Sequence, residues 1–357
     1  MARPEGRGNG RFRCPARCDV AGASVIRAIG IAVMCLALAM AVAAQDTDVH
    51  IKPREKPAPD APKDPKTGVS SGPVEKSHGK AIQVDVNVVL VNVTVTDDFN
   101  RIVTGLEKEN FAVAENGVPQ EIVNFSSEDA PLSLGVIFDI SGSMSDKILK
   151  SREAVIEFFK TANPQDEFFL ISFSDRPRLV ADFTSSIEDV QNKIVFEVPQ
   201  GRTALLDAIY MGVAKMKEAH NPKKALLIIS DGGDNHSRYT ENEIKSIVKE
   251  ADVQIYAIGV FGGGSGTPEE LGGPQMLGSV TEVTGGRLFS LNSAGELADV
   301  ASKIGLELRN QYVLGYKPSN RVRDGRWRKI KMKLVPPKGP MPHLNIYSKT
   351  GYYAPSQ

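Results

Sequence analysis

The stretch Leu134-Gly135-Val136-Ile137-Phe138-Asp139-Ile140-Ser141-Gly142-Ser143-Met144 governs how the rest of the chain is read. Its first five residues form a short apolar run of the type that fills a parallel strand buried on both faces. Its last six place one carboxylate and two hydroxyls at alternate positions. Alternation lets Asp139, Ser141 and Ser143 face one point, and Gly142 relieves Cβ crowding in the turn between the serines. A donor set of this kind, without sulfur or imidazole, suits hard cations. Mg²⁺ is the first expectation, with Mn²⁺ and Ca²⁺ as alternatives.

Outward from this stretch, further apolar runs recur at Phe168 to Phe173, Ala225 to Ser230, Ile255 to Val260 and Arg287 to Leu291. Amphipathic stripes lie between them: Ile148, Ala154, Val155, Phe158 and Phe159; Leu205, Ile209, Val213 and Met216; Ile244, Ile247, Val248 and Ala251. Strands alternating with helices over 131–310 predict an α/β fold, a doubly wound and mostly parallel Rossmann-like central sheet. Sites in such sheets lie where strand C-termini meet loops.

The Asp-x-Ser-x-Ser turn after an apolar strand resembles the metal-ion-dependent adhesion site of the von Willebrand factor type A domain family. Two further positions match that family's pattern: Thr203 in Gln200-Gly201-Arg202-Thr203-Ala204-Leu205, and Asp231 in Ile229-Ser230-Asp231-Gly232-Gly233. The resemblance implies that Ser141 and Ser143 ligate the cation directly and that Thr203 does so in the ligand-bound form. It also implies that Asp139 and Asp231 act mostly through water. Arg202 departs from the pattern, since many members carry glycine there. With neutral hydroxyls inside and carboxylates held back, the dication keeps an open position for an Asp or Glu of a protein partner.

The flanks read differently. Ile82, Val84, Val86, Val88, Leu90, Val91, Val93 and Val95 form a β-branched run whose phase changes near Leu90, a hint of a bulge. Phe111 to Glu115 and Gln120 to Phe125 flank Asn116-Gly117, the strongest short-range hairpin signal. Tyr312 to Tyr316, Arg328 to Val335 and Leu344 to Tyr352 also read as strands. The expectation is a β-sandwich-like unit in which 81–128 packs with 311–357 and the central domain is inserted between them. Val118-Pro119-Gln120 and Gly351-Tyr352-Tyr353-Ala354-Pro355 resemble an exported bacterial branch related to the same family.

Arginines at 3, 7, 11, 13, 17 and 27 precede an apolar run from Ala28 to Ala44 ending in small residues, so 1–44 reads as a signal peptide cleaved after Ala44. Membrane contact is expected only if that segment stays uncleaved. The stretch 45–80 is rich in Pro, Lys, Asp, Gly and Ser without apolar periodicity and reads as a disordered linker. All three cysteines, Cys14, Cys18 and Cys35, fall in the leader, which removes disulfides and thiolate metal sites from the mature chain. The expected location is secreted, periplasmic or in the cell envelope.

Lys+Arg and Asp+Glu each total 43, so the net charge is zero and no nucleic-acid partner is expected. His50, His78, His220, His236 and His343 are scattered without zinc spacing, and 262–266 has no phosphate-loop lysine. Asp234, Asn235 and His236 read as solvated loop residues. No small-molecule substrate is expected. The functional expectation is a non-enzymatic binding or adhesion module, and the alternatives are a metal-dependent hydrolase or phosphoryl-transfer enzyme, or a structural envelope protein whose cation only stabilises it.

Overall fold

The computed structural model of the chain describes residues 88–261, 268–335 and 343–356. The expected leader, the linker, residues 81–87 of the first β run and the glycine stretch 262–266 lie outside the described residues. The first flank contributes β1 (Val89–Asp97), β2 (Phe111–Glu115), β3 (Val118–Gln120) and β4 (Ile122–Ser126).

The central segment follows as β5 (Leu132–Asp139), α1 (Ile148–Phe159), β6 (Glu167–Phe173), β7 (Pro177–Thr184), α2 (Ile187–Ile194) and α3 (Leu205–Lys215). It continues as β8 (Lys223–Ser230), α4 (Glu241–Glu250), β9 (Gln254–Val260), α5 (Pro268–Thr284), β10 (Leu288–Leu291) and α6 (Leu297–Arg309). The second flank is β11 (Tyr312–Tyr316), β12 (Trp327–Leu334), β13 (Leu344–Ser348) and β14 (Gly351–Tyr353).

The central sheet runs β10-β9-β8-β5-β6-β7, parallel except for β7, which returns antiparallel along β6. Alternation along β5 divides its side chains between two cores. Leu134, Val136 and Phe138 meet α1, α2 and α6 through Val155, Val190 and Ile304. Ile137 points the other way, with α3, α4 and α5 supplying Ile209, Ile244 and Leu277. Helices thus cover both faces, the doubly wound arrangement expected, and a strand buried on both sides needs the uninterrupted apolar run at 134–138.

The flanks interleave as two four-stranded sheets, β13-β1-β11-β4 and β14-β12-β2-β3, closing on Val91, Val93, Phe111, Val113, Tyr312, Leu314 and Ile330. This is the sandwich of N- and C-terminal strands that the apolar patterns predict. Several details differ from the expectation. The phase change in β1 marks no bulge, because its pairings with β11 and β13 run without a register shift. Thr94 and Thr96 are instead buried on the face turned toward the central segment, where Gln311 Nε2 donates to Thr94 Oγ1 at 3.1 Å and to the Tyr256 hydroxyl at 3.3 Å.

Asn116 and Gly117, with φ of 48° and 86°, make the hairpin turn between β2 and β3. The run expected from Gln120 to Phe125 divides at Glu121, because β3 pairs with β2 while β4 crosses to the other sheet beside β11. The run from Leu344 to Tyr352 divides in the same way into β13 and β14, one in each sheet. Among the described residues no helix is long and apolar enough to cross a membrane.

Candidate functional site

Three loops at the C-terminal edge of the central sheet carry the five candidate residues. The first follows β5, where Asp139 is fully buried. Its Oδ1 accepts the Ser141 amide at 2.8 Å, closing the turn, and its Oδ2 accepts the Ser230 hydroxyl at 2.5 Å. The Ser141 and Ser143 hydroxyls lie 3.1 Å apart. This is the convergence that alternation requires.

The loop leading into α3 is drawn against this turn by two backbone bonds: Gly142 N donates to Gly201 O at 3.0 Å and Gln200 N to Ile140 O at 2.8 Å. Gly201 adopts a φ of 81°, and a Cβ there would come within 2.8 Å of the Asp175 carboxylate. Gly142 is tight for a different reason, since a Cβ would come within 3.3 Å of Gly201 O and press on the bond between the two loops. Thr203 is buried on this loop. Its amide donates to Asn235 Oδ1 at 3.0 Å, and its carbonyl accepts the amides of Asn235 and His236.

The third loop follows β8. Ser230 bridges the strands by donating to Asp139 while its oxygen accepts the Gly232 amide at 3.0 Å. Gly232 has a φ of 83°, and Gly273 of α5 packs so closely that an added Cβ would lie 2.4 Å from Gly232 O. Two backbones therefore fix the loop that carries Asp231.

Burial, then the negative charge of Asp231, pushes the Asp139 carboxyl up to about 7, against the pull of its Ser141 and Ser230 hydrogen bonds. Among the described residues one ammonium answers this pair of acids: Lys147 Nζ lies 3.2 Å from Asp231 Oδ2. Two buried acids beside converging hydroxyls form a notch with excess negative charge and hard oxygen donors, and this donor set fits a divalent cation. Ser141, Ser143 and Thr203 would hold it, with Asp139 and Asp231 behind them.

The arrangement brings Asp139, Ser141, Ser143 and Asp231 together directly and places the loop of Thr203 against the same turn. Asp234 and Asn235 do more than the solvated role expected of them. Asp234 accepts the Leu206 amide at 2.9 Å, capping α3, and Asn235 ties the second loop to the third. Among the residues missed by sequence reasoning are Ser230 and Lys147. A serine next to Asp231 and a lysine at the entry to α1 are ordinary in sequence, and only the fold aims them at the acids.

The family model for the von Willebrand factor type A domain matches residues 135–233, which contain all three loops. These residues are a von Willebrand factor type A domain. Inter-alpha-trypsin inhibitor heavy chain H4 of Sus scrofa is 29% identical over 175 residues, covering 45% of this chain. The chain spans 18% of that relative's length. An uncharacterized protein of Borreliella burgdorferi is 22% identical over 181 residues, 44% of this chain and 53% of its own length. Among solved structures, the von Willebrand factor type A protein of Catenulispora acidiphila aligns at 11% identity over 74% of this chain and 75% of that one, with a TM-score of 0.45.

Proposed function

We propose that the protein is an exported, non-enzymatic binding module that uses a divalent cation, Mg²⁺ first, to hold an acidic side chain of a protein partner. The observation that carries this reading is the buried pair Asp139 and Asp231 facing the Ser141 and Ser143 hydroxyls at the tips of the type A loops. In such a notch two acids share one ammonium, so Asp139 resists ionisation until a cation arrives, and the inner donors are neutral. A cation there keeps electrophilicity to spend on an incoming carboxylate, and the charge-assisted contact forms in a partly desolvated recess.

An enzymatic role for Ser141 would require a base at its hydroxyl. Its neighbours are the Ser143 hydroxyl and the Asp139 carboxyl, whose two oxygens already accept the Ser141 amide and the Ser230 hydroxyl, and the nearby ammonium of Lys147 is engaged by Asp231. This supports binding over catalysis.

The test is thermal and urea unfolding of the purified protein during titration with Mg²⁺, Mn²⁺ or Ca²⁺. At a hundredfold excess over Kd, stability should rise by about 2.7 kcal/mol by linkage, and Asp139→Ala should abolish the gain. No shift at millimolar ion, or a gain retained in Asp139→Ala, overturns the cation site. Capture of a partner that ignores both chelator and Thr203→Ala would leave the ion a stabilising part only.

A further inference from the structure

The loop from α2 to α3 is inside out. Glu197, its only carboxylate, is 5% exposed, while Val195, Phe196 and Val198 around it are 54%, 81% and 64% exposed. Specific bonds hold this inversion in place. Arg178 reaches both Glu197 carboxylate oxygens at 2.8 Å, and Arg152 of α1 donates to the Glu197 carbonyl. A loop free to relax would turn its apolar side chains inward, since each is worth about 1.5–3 kcal/mol when buried.

The inverted loop leads straight into the candidate site. Gln200 and Gly201, next along the chain, make the bonds to Ile140 and Gly142 that hold the Ser141–Ser143 turn. From the other side, Arg152 lies one helical turn beyond Leu149, so the two share a face of α1. Leu149 is 71% exposed. Large apolar side chains therefore stand in water next to the notch, on a backbone already fixed in shape. Several large apolar side chains exposed around one loop mark an interaction site, and pre-organisation lowers the entropy cost of using it.

We infer that this apolar collar is the second half of the docking surface. The partner is a protein segment whose Asp or Glu lies within a few residues of a large aliphatic or aromatic side chain. The carboxylate would enter the notch while the apolar neighbour settles on Phe196, Val198 and Leu149. Exposed Asp146 and the Lys150–Glu153 ion pair leave the first turns of α1 without the run of unpaired basic side chains that an anionic lipid surface would need. The inference rests on the cation reading and adds the chemistry of what flanks the acid.

The experiment pans a phage-displayed library of random twelve-residue peptides on the full-length protein in Mg²⁺ and elutes first with chelator, then with acid to recover what chelator leaves bound. Enriched peptides should pair Asp or Glu with Phe, Leu, Ile or Trp within about three residues. A synthetic copy of the best one should bind the Phe196→Ser/Val198→Ser variant at least tenfold more weakly, and Leu149→Ser likewise. The Mg²⁺ dependence of unfolding should stay unchanged in both variants, since none of these residues lies among the cation's oxygens. Acidic peptides with no apolar preference, unaltered binding by the variants, or no enrichment would overturn the collar. So would a change in self-association caused by the variants, which would assign the patch to a second copy. Chelator-insensitive peptides that still require Phe196 would instead overturn the cation reading.

Discussion

At the N-terminal edge of the central sheet, buried acids come with a guanidinium of their own. Arg309 pairs with Asp166, which also accepts the Leu132 and Asn163 amides, and Arg287 pairs with Glu307 at 2.5 Å while stacking on Tyr347. At the C-terminal edge the rule is broken. Asp139 receives only neutral donors and shares its space with a second acid, so one edge is electrostatically closed and the other is left open. Asp166 and Glu307 carry their counter-charge in the fold, because removing a charge from water without one costs several kcal/mol. The open edge is where a charge from outside has a place.

The contrast can be broken most forcefully at the closed edge. Arg309→Ala should cost about 3 kcal/mol in urea unfolding, because Asp166 stays buried without its cation. A loss below about 1 kcal/mol would mean that the N–H donors to Asp166 suffice and that the two edges differ less than their charges suggest.

A smaller effect is expected at the open edge from Lys147→Met, which removes the ammonium from Asp231 while keeping the apolar stem. Without metal the protein should lose about 1 kcal/mol, and divalent-ion affinity measured by calorimetry should rise roughly tenfold as a competing positive charge leaves. Equal or weaker ion affinity would show that Lys147 is no competitor.

The last effect concerns pH. Lys223, buried beside Arg309 and bonded to the Leu308 carbonyl, is lowered to about 8, first by burial and then by a balance of neighbouring charges. Its folded value lies below the unfolded one, so the unfolded chain binds more protons between about pH 8 and pH 10.4 and stability from this group rises with pH across that window. Unfolding free energies from urea titration should therefore show a gain of up to about 3 kcal/mol in the wild type relative to Lys223→Met over that range. Parallel pH profiles would remove Lys223 from the account.

Much of this organisation is written plainly in the chain. A strand buried on both faces must be apolar throughout, so β5, β6, β8 and β9 are visible as runs, and the turn after β5 announces its oxygens. The elements sequence reasoning missed are those whose signals are diluted. β7 is an edge strand, partly exposed and irregular in register against β6, and α2 is short, with only Val190 and Ile194 buried. α5 is masked by Gly272-Gly273-Pro274, which read as breakers. Gly273 is there because α5 meets the backbone of Gly232, a demand made by tertiary structure alone. The inverted loop is hidden for a similar reason, since Val195 and Phe196 look like core until Arg178 and Arg152 are seen holding Glu197 inward.

The central segment leaves the sandwich after β4 and returns to it at β11, and these two strands are hydrogen-bonded neighbours, Ser126 opposite Val313. That pairing carries a consequence for the order of folding. While the intervening chain is unstructured, joining β4 to β11 closes a loop spanning the whole insert, and its entropic cost must be met before any contact repays it. Once the inserted α/β segment has collapsed, its two ends are close and the same pairing becomes nearly local. The sandwich is therefore expected to form late, templated by the segment it holds, and synthesis in chain order would leave β1 to β4 waiting with unpaired edges until the last strands arrive.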